Sequence, residues 1–234
     1  MKQVKPAIHS KHSPSLLHPD DVGQHGKGIP QNDIDRIRKT AMKTSFISAF
    51  ALIVISASMP GIADTTVFNP ATDFSIENGN PNGFWTYGWL PSKSSGFVLF
   101  TTPSPAENPL PGWSAKACPD GNPSIWRNLG KEPKLGVGVG QLALHPGCKY
   151  EPSILRWTSP GDGQYQINGE FFAGDKGVMR LGVRQGGKWL WKAFDAGKFS
   201  LLRTVSAGTS VDFIVYGGYD SGSTPLELVI TPAE

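Results

Sequence analysis

From Asp64 onward, short alternating or continuous apolar segments recur between glycine and proline clusters, and no apolar period of helical spacing lasts three turns. Gln164–Phe172 is the clearest strand. A period of two puts Tyr165, Ile167, Gly169 and Phe171 on one face and Gln164, Gln166, Asn168 and Glu170 on the other. Met179, Leu181 and Val183 alternate with Arg180, Gly182 and Arg184, and Gln185-Gly186-Gly187-Lys188 offers a turn into Trp189–Phe194, which reads as a hairpin. Phe199–Val205 and Val211–Tyr216 flank a turn at Ser206–Thr209, and Leu226–Thr231 supplies a last strand. Earlier candidates are Phe84–Leu90, Phe97–Thr102, Gly136–Leu144 and Ser153–Thr158. The pattern predicts an all-β chain, a two-sheet antiparallel sandwich of jelly-roll type, with a closed barrel as the alternative.

Composition sharpens this picture. Charged residues are 18% of the chain, and glycine and proline together make 48 of 234 positions (28 and 20). That balance excludes a coiled coil and a charge-driven disordered protein, for which roughly 25% charge is already the ordinary level. Pro103, Pro105, Pro109, Pro111 and Pro119 all fall within Thr101–Gly121, which therefore reads as a stiff surface excursion and not as sheet interior. Long loops on a rigid sandwich are a common seat of binding.

The charge is unevenly divided. Met1–Ala63 holds eight Lys/Arg against four Asp/Glu, whereas Asp64–Glu234 holds fourteen against fifteen, so the formal +3 belongs to the leader. Without a basic excess in the remainder, nucleic acid is not an expected partner. The leader itself looks like an export signal. Met42-Lys43-Thr44-Ser45 precedes the apolar run Phe46–Ala57, which is short for a bilayer span, and Gly61-Ile62-Ala63 supplies small residues for cleavage after Ala63. The expected organisation is residues 1–41 as a disordered extension from an over-extended reading frame, 42–63 as signal peptide, and 64–234 as one sandwich domain. A signal anchor with a short cytoplasmic tail is the alternative. The mature chain would be secreted or periplasmic, without a stable membrane anchor.

In an oxidising compartment the only two cysteines, Cys118 and Cys148, are expected to form a disulfide, with buried free thiols as the alternative. The loop-entropy model gives such a bridge about 3 to 4 kcal/mol. Four of five histidines precede residue 26, which excludes a multi-histidine metal site in the remainder of one subunit.

A set of short motifs carries a family resemblance. Phe74-Ser75, then Asn80-Pro81-Asn82-Gly83-Phe84-Trp85-Thr86-Tyr87-Gly88, His145-Pro146-Gly147, Leu155-Arg156-Trp157-Thr158-Ser159-Pro160 with Gly163-Gln164-Tyr165, and Ser206–Phe213 together resemble a secreted bacterial domain common in proteins with a PEP-CTERM (exosortase) sorting tail. The resemblance covers about residues 73 to 231. It implies an exported β-sandwich, often on surface or exopolysaccharide-associated proteins, and transfers no catalytic residue. The last residues, Leu226–Glu234, show no proline-glutamate motif, apolar span or basic tail, so release or periplasmic retention is expected in place of exosortase anchoring.

All seven tryptophans follow residue 84. Aromatic faces stack on sugar rings while nearby amides and carboxylates satisfy hydroxyls, so a tryptophan-rich exported sandwich is a candidate glycan binder. Trp85 and Trp157 are expected in the core. Trp113 lies in the proline-rich excursion and Trp126 just beyond it, and for both, exposure and burial stay open. Trp189 and Trp191 are read as sharing one strand face, either a stacking platform or an inner face. Trp113, Trp126 and the His145 turn are expected to gather at one end of the sandwich. His145 has no nucleophile or carboxylate fixed beside it by sequence, and a ring hydrogen-bonded at a strand end is the plainer reading. Arg156 is expected in an ion pair or on a loop carbonyl, not as a substrate clamp.

Glu170, Asp175, Asp195, Asp212 and Asp220 are the carboxylates available for glycoside hydrolysis, but nothing in their spacing forces two to converge. Asp212 is expected to project outward. Asp175 and Asp220 suit turn capping, with calcium ligation as the alternative, and no other cofactor is expected. No nucleophile-elbow, metalloprotease, P-loop or dinucleotide motif is present in a supporting context. The functional expectation is a non-enzymatic exported protein that binds carbohydrate or a matrix polymer. The alternatives are a structural matrix component without a defined ligand and a glycan hydrolase.

Overall fold

A computed structural model describes residues 66–92, 96–105, 107–116, 122–218 and 222–233. The expected extension and signal peptide, Cys118 and Asp220 lie outside these residues. One turn of helix, α1 (Pro70–Asp73), opens the described chain, with the Asn69 side chain capping it by accepting from the Ala71 amide at 2.9 Å. Thirteen strands follow: β1 (Trp85–Trp89), β2 (Val98–Leu99), β3 (Thr102–Pro103), β4 (Gly112–Ser114), β5 (Ser124–Arg127), β6 (Leu142–His145), β7 (Ser153–Thr158), β8 (Gly163–Phe171), β9 (Arg180–Gln185), β10 (Lys188–Phe194), β11 (Gly197–Val205), β12 (Ser210–Tyr216) and β13 (Thr224–Pro232).

They form two antiparallel sheets and no closed barrel, one of six strands ordered β10-β9-β12-β7-β1-β2 and one of seven ordered β11-β8-β13-β6-β5-β4-β3. From β7 onward the chain crosses between the sheets after each strand, with the β9–β10 hairpin counting as one step, which is jelly-roll connectivity. Gly186 and Gly187 close that hairpin with φ of 54° and 79°, a pair of left-handed positions that a two-residue turn of matching twist requires.

Alternation decides the core. Trp85, Tyr87, Leu155, Trp157, Leu181, Val183, Phe213 and Val215 of the six-stranded sheet meet Ile125, Leu144, Tyr165, Ile167, Phe171, Phe199, Leu228 and Ile230 of the other. Each fully buried apolar side chain of this kind contributes about 1.5 to 3 kcal/mol. Trp85 and Trp157 are core residues as expected, at 1% and 0% exposure.

Two expectations are corrected here, for the proline-rich segment and for the Trp189–Trp191 face, and the open question of Trp113 is decided. The proline-rich segment is not wholly an excursion. β3 and β4 come from it and pair at the end of the seven-stranded sheet, Pro103 occupying the terminal strand, where a missing amide leaves no inner partner unsatisfied. Trp113, in proline-free β4, points inward, is 6% exposed and donates its indole N–H to the Ser75 carbonyl at 2.9 Å. Trp189 and Trp191 do not share a face. Trp189 stands opposite Arg184 but Trp191 opposite Val183, because a bulge at Leu190 inserts one residue and reverses the phase of alternation.

Candidate functional site

The outer face of the six-stranded sheet follows from the same alternation. With Leu155 and Trp157, Val211 and Phe213, and Leu181 and Val183 turned into the core, Arg156, Asp212, Gly182 and Arg184 point outward. Register then brings three charges into one row, since Asp212 on β12 stands directly opposite both Arg156 on β7 and Arg184 on β9. Arg156 donates from Nε to Asp212 Oδ1 at 2.7 Å and from Nη2 to Oδ2 at 3.1 Å, and Arg184 Nη2 reaches the same Oδ2 at 3.0 Å. The Asp212 side chain is 8% exposed and those of Arg156 and Arg184 26% and 22%, so one nearly buried anion holds two cationic side chains that still reach solvent. The buried Arg184 Nε has no hydrogen-bond partner among the described residues.

An aromatic ring flanks the row on each side. Arg156 lies over the Phe97 ring, 3.9 Å from its centroid, and Arg184 sits 5.9 Å from the centroid of Trp189. Both rings occupy room left by a glycine. A Cβ on Gly88 would strike Phe97, and a Cβ on Gly182 would strike Trp189. Trp189 also packs near-parallel to Tyr216, centroids 5.7 Å apart at 25°, yet remains 41% exposed. A groove of about 480 Å³ runs over the charged row, with Phe97, Arg156, Arg184, Ser210 and Asp212 in its lining and the side-chain-free Gly186-Gly187 turn at its rim. Trp189 stands beside it.

The other predicted site residues are placed differently. Trp126 is on the outer face of the seven-stranded sheet but only 7% exposed, packed with Val137, Ala143 and Leu110. Trp113 and Trp126 therefore point to opposite faces, although both border one groove of about 300 Å³ with Ser104, Asn108 and Ser124. His145 follows on β6. Its Nδ1 lies 2.7 Å from the Pro146 carbonyl, which can only accept, so Nδ1 carries the hydrogen. Burial lowers its pKa below the ordinary 6.5, against smaller upward pulls from that hydrogen bond and the Asp175 charge. Trp191 lies between the sheets, 5.9 Å from Phe171 at 7° and 5.1 Å from Phe199. Cys148 is not a free thiol, while its expected partner Cys118 is outside the described residues.

Of the carboxylates, Asp175 accepts from the amide of the next residue, Lys176, at 2.8 Å. No group of three or more His, Cys, Asp or Glu suited to a metal occurs among the described residues. Glu170 stands opposite Glu227 on the open face of the seven-stranded sheet, with Lys198 3.3 Å from Glu170 and Gln141 donating to Glu227 at 3.0 Å. The sequence reading missed the row itself. Outward alternation of Arg156, Arg184 and Asp212 was visible, but the β7-β12-β9 neighbour order that joins them was not. No helix among the described residues is long and apolar enough to cross a membrane.

No family model matches the chain, and no curated protein matches it. Several solved structures align weakly. A beta-glucosidase from Kluyveromyces marxianus in complex with glucose is 14% identical over 42% of this chain and 14% of its own, with TM-score 0.26. The C-terminal CBM6 of a marine laminarinase from Zobellia galactanivorans is 13% identical over 63% of this chain and 98% of its own, with TM-score 0.26. An isomalto-dextranase from Arthrobacter globiformis complexed with panose is 12% identical over 63% of this chain and 23% of its own, with TM-score 0.29.

Proposed function

We propose that this is an exported, non-catalytic protein that binds a carbohydrate or matrix polymer on the outer face of its six-stranded sheet. The observation that carries the reading is the exposed Trp189 ring, held outward over Gly182 beside a groove floored by Arg156, Asp212 and Arg184. An indole face offers a sugar its C–H contact, and the guanidinium edges offer directional donors for hydroxyl or carboxyl oxygens. The site has the usual make-up of a binding surface, a rigid aromatic beside a few fixed polar groups on paired strands.

A glycan array and the producer's own extracellular polymer, probed with wild type and Trp189→Ala, test it. We expect binding that the variant weakens by about 1 to 3 kcal/mol, the range of an interface hot spot, with an unchanged melting temperature. Binding to none of these polymers would favour a purely structural role, and release of new reducing ends would favour a hydrolase.

A further inference from the structure

The charge balance in the groove carries the reading one step further, to the class of sugar. This step rests on the carbohydrate reading above. Arg156 and Arg184 bring two positive charges, and Asp212 is the one carboxylate in the lining among the described residues, leaving the row with a net charge of +1. Asp212 is already occupied, Oδ1 by Arg156 and Oδ2 by both arginines. A guanidinium carries five N–H donors, of which Arg156 spends two kinds of nitrogen on Asp212 and Arg184 only one. Arg184 Nε is buried without an acceptor in the fold, and the guanidinium nitrogens not spent on Asp212 belong to side chains that keep about a quarter of their exposure toward the groove. The other polar liners point the same way by default. Gln185, Thr209 and Ser210 are neutral, and the Gln185 side-chain carbonyl oxygen already accepts from Arg203 at 3.0 Å, so no liner besides Asp212 offsets the two arginines.

We infer that the Arg156–Asp212–Arg184 groove takes an acidic sugar unit, its anionic group completing the donor set of the two arginines while Trp189 carries an adjoining ring. A partly desolvated cation gains more from an ionised acceptor than from a hydroxyl, because charge-assisted hydrogen bonds are roughly twice as strong as neutral ones. Phe97 holds the Arg156 plane, and the neighbouring strands fix both arginines through Asp212, so little side-chain freedom is left to lose on binding. The anion on the sugar is either a carboxylate or a sulfate ester, and the test separates the two.

The probes are polygalacturonate, its fully methyl-esterified form, dextran sulfate and dextran, titrated into the full exported chain at fixed ionic strength. Binding of polygalacturonate about tenfold tighter than its methyl ester supports a uronate, and the same margin for dextran sulfate over dextran supports a sulfate ester. Arg184→Gln should remove that margin while Asp212 keeps its Arg156 partner, and Lys176→Gln, an equal charge change at an exposed site elsewhere, should move affinity less than about twofold. Thermal melting checks that each variant is folded. Equal affinity for charged and neutral forms, or a margin untouched in folded Arg184→Gln, overturns the acidic preference and leaves carbohydrate binding standing. Failure of all four polymers and of the wider glycan array overturns the carbohydrate reading with it.

Discussion

Two regions of the molecule present tryptophan beside polar groups, and they use it in opposite ways. At the β3–β5 end of the seven-stranded sheet, Trp113 and Trp126 are packed away, one into the core with its N–H on the Ser75 carbonyl and one under Leu110 and Val137. On the outer face of the six-stranded sheet, Trp189 and Phe97 lie over glycines beside a charged row. The difference is not residue type. An indole that finds a backbone acceptor inside is a structural element, whereas a ring propped on a bare backbone and left in solvent serves the surface. The prolines near Trp113 suggested presentation, but they flank β4, one strand in from the sheet edge, where the tryptophan side chain turns inward.

The sharpest way to break this comparison is Trp113→Ala. A tryptophan 6% exposed leaves a cavity that the β3–β4 edge cannot refill, and the Ser75 carbonyl loses its donor. The expected loss is about 3 to 5 kcal/mol in denaturant unfolding. A folded variant of unchanged stability would return Trp113 to the surface and remove the contrast with Trp189.

The second test sets the charged row against the pair on the opposite sheet. Asp212→Asn leaves two half-buried guanidiniums facing each other without their shared anion. Breaking a buried pair costs roughly 3 to 5 kcal/mol, and since both arginines keep about a quarter of their exposure, the expectation is about 2 to 3 kcal/mol. Glu170→Gln should cost less than about 0.5 kcal/mol, because Lys198 across from it is 79% exposed and the pair is screened by solvent. Equal effects in urea titrations would mean that the row is not distinct from ordinary surface charge.

The strands were readable because each carries its own period. Gln164–Phe172 alternates cleanly, and β8 buries Tyr165, Ile167 and Phe171 as that alternation requires. Three strands were missed, β3, β4 and β5, each too short to show a period, at two, three and four residues. The bulge at Leu190 was also hidden, since an extra residue leaves no mark in a run of apolar side chains, and it alone decides that Trp191 enters the core while Trp189 stays out. The candidate site was invisible for a different reason. Arg156 and Asp212 are 56 residues apart and Asp212 and Arg184 are 28 apart, so the row exists only through sheet order. Turn chemistry could locate a hairpin, but no local signal states which distant strand lies next.

The smallest expected effect concerns His145, which belongs to the same sheet face as Trp126. Burial holds its imidazole below the ordinary 6.5, and the Nδ1 hydrogen is committed to the Pro146 carbonyl, so the folded protein favours the neutral ring. The sign follows from linkage. With the folded pKa lowered, the unfolded chain binds more protons at pH values between the two, and stability rises with pH across that interval. The contribution is therefore complete above about 6.5 and is lost as pH falls through that value toward the folded pKa. Melting curves at a series of pH values from 7.5 to 5 should show a decline in wild type that is shallower in His145→Gln, which keeps a donor for Pro146 but cannot titrate. An equal slope in both proteins would mean that other groups set the acid sensitivity. A slope of opposite sign in the wild type, removed by the variant, would mean that the Asp175 charge outweighs burial and that this histidine is held as a cation, open to a role the buried neutral ring does not have.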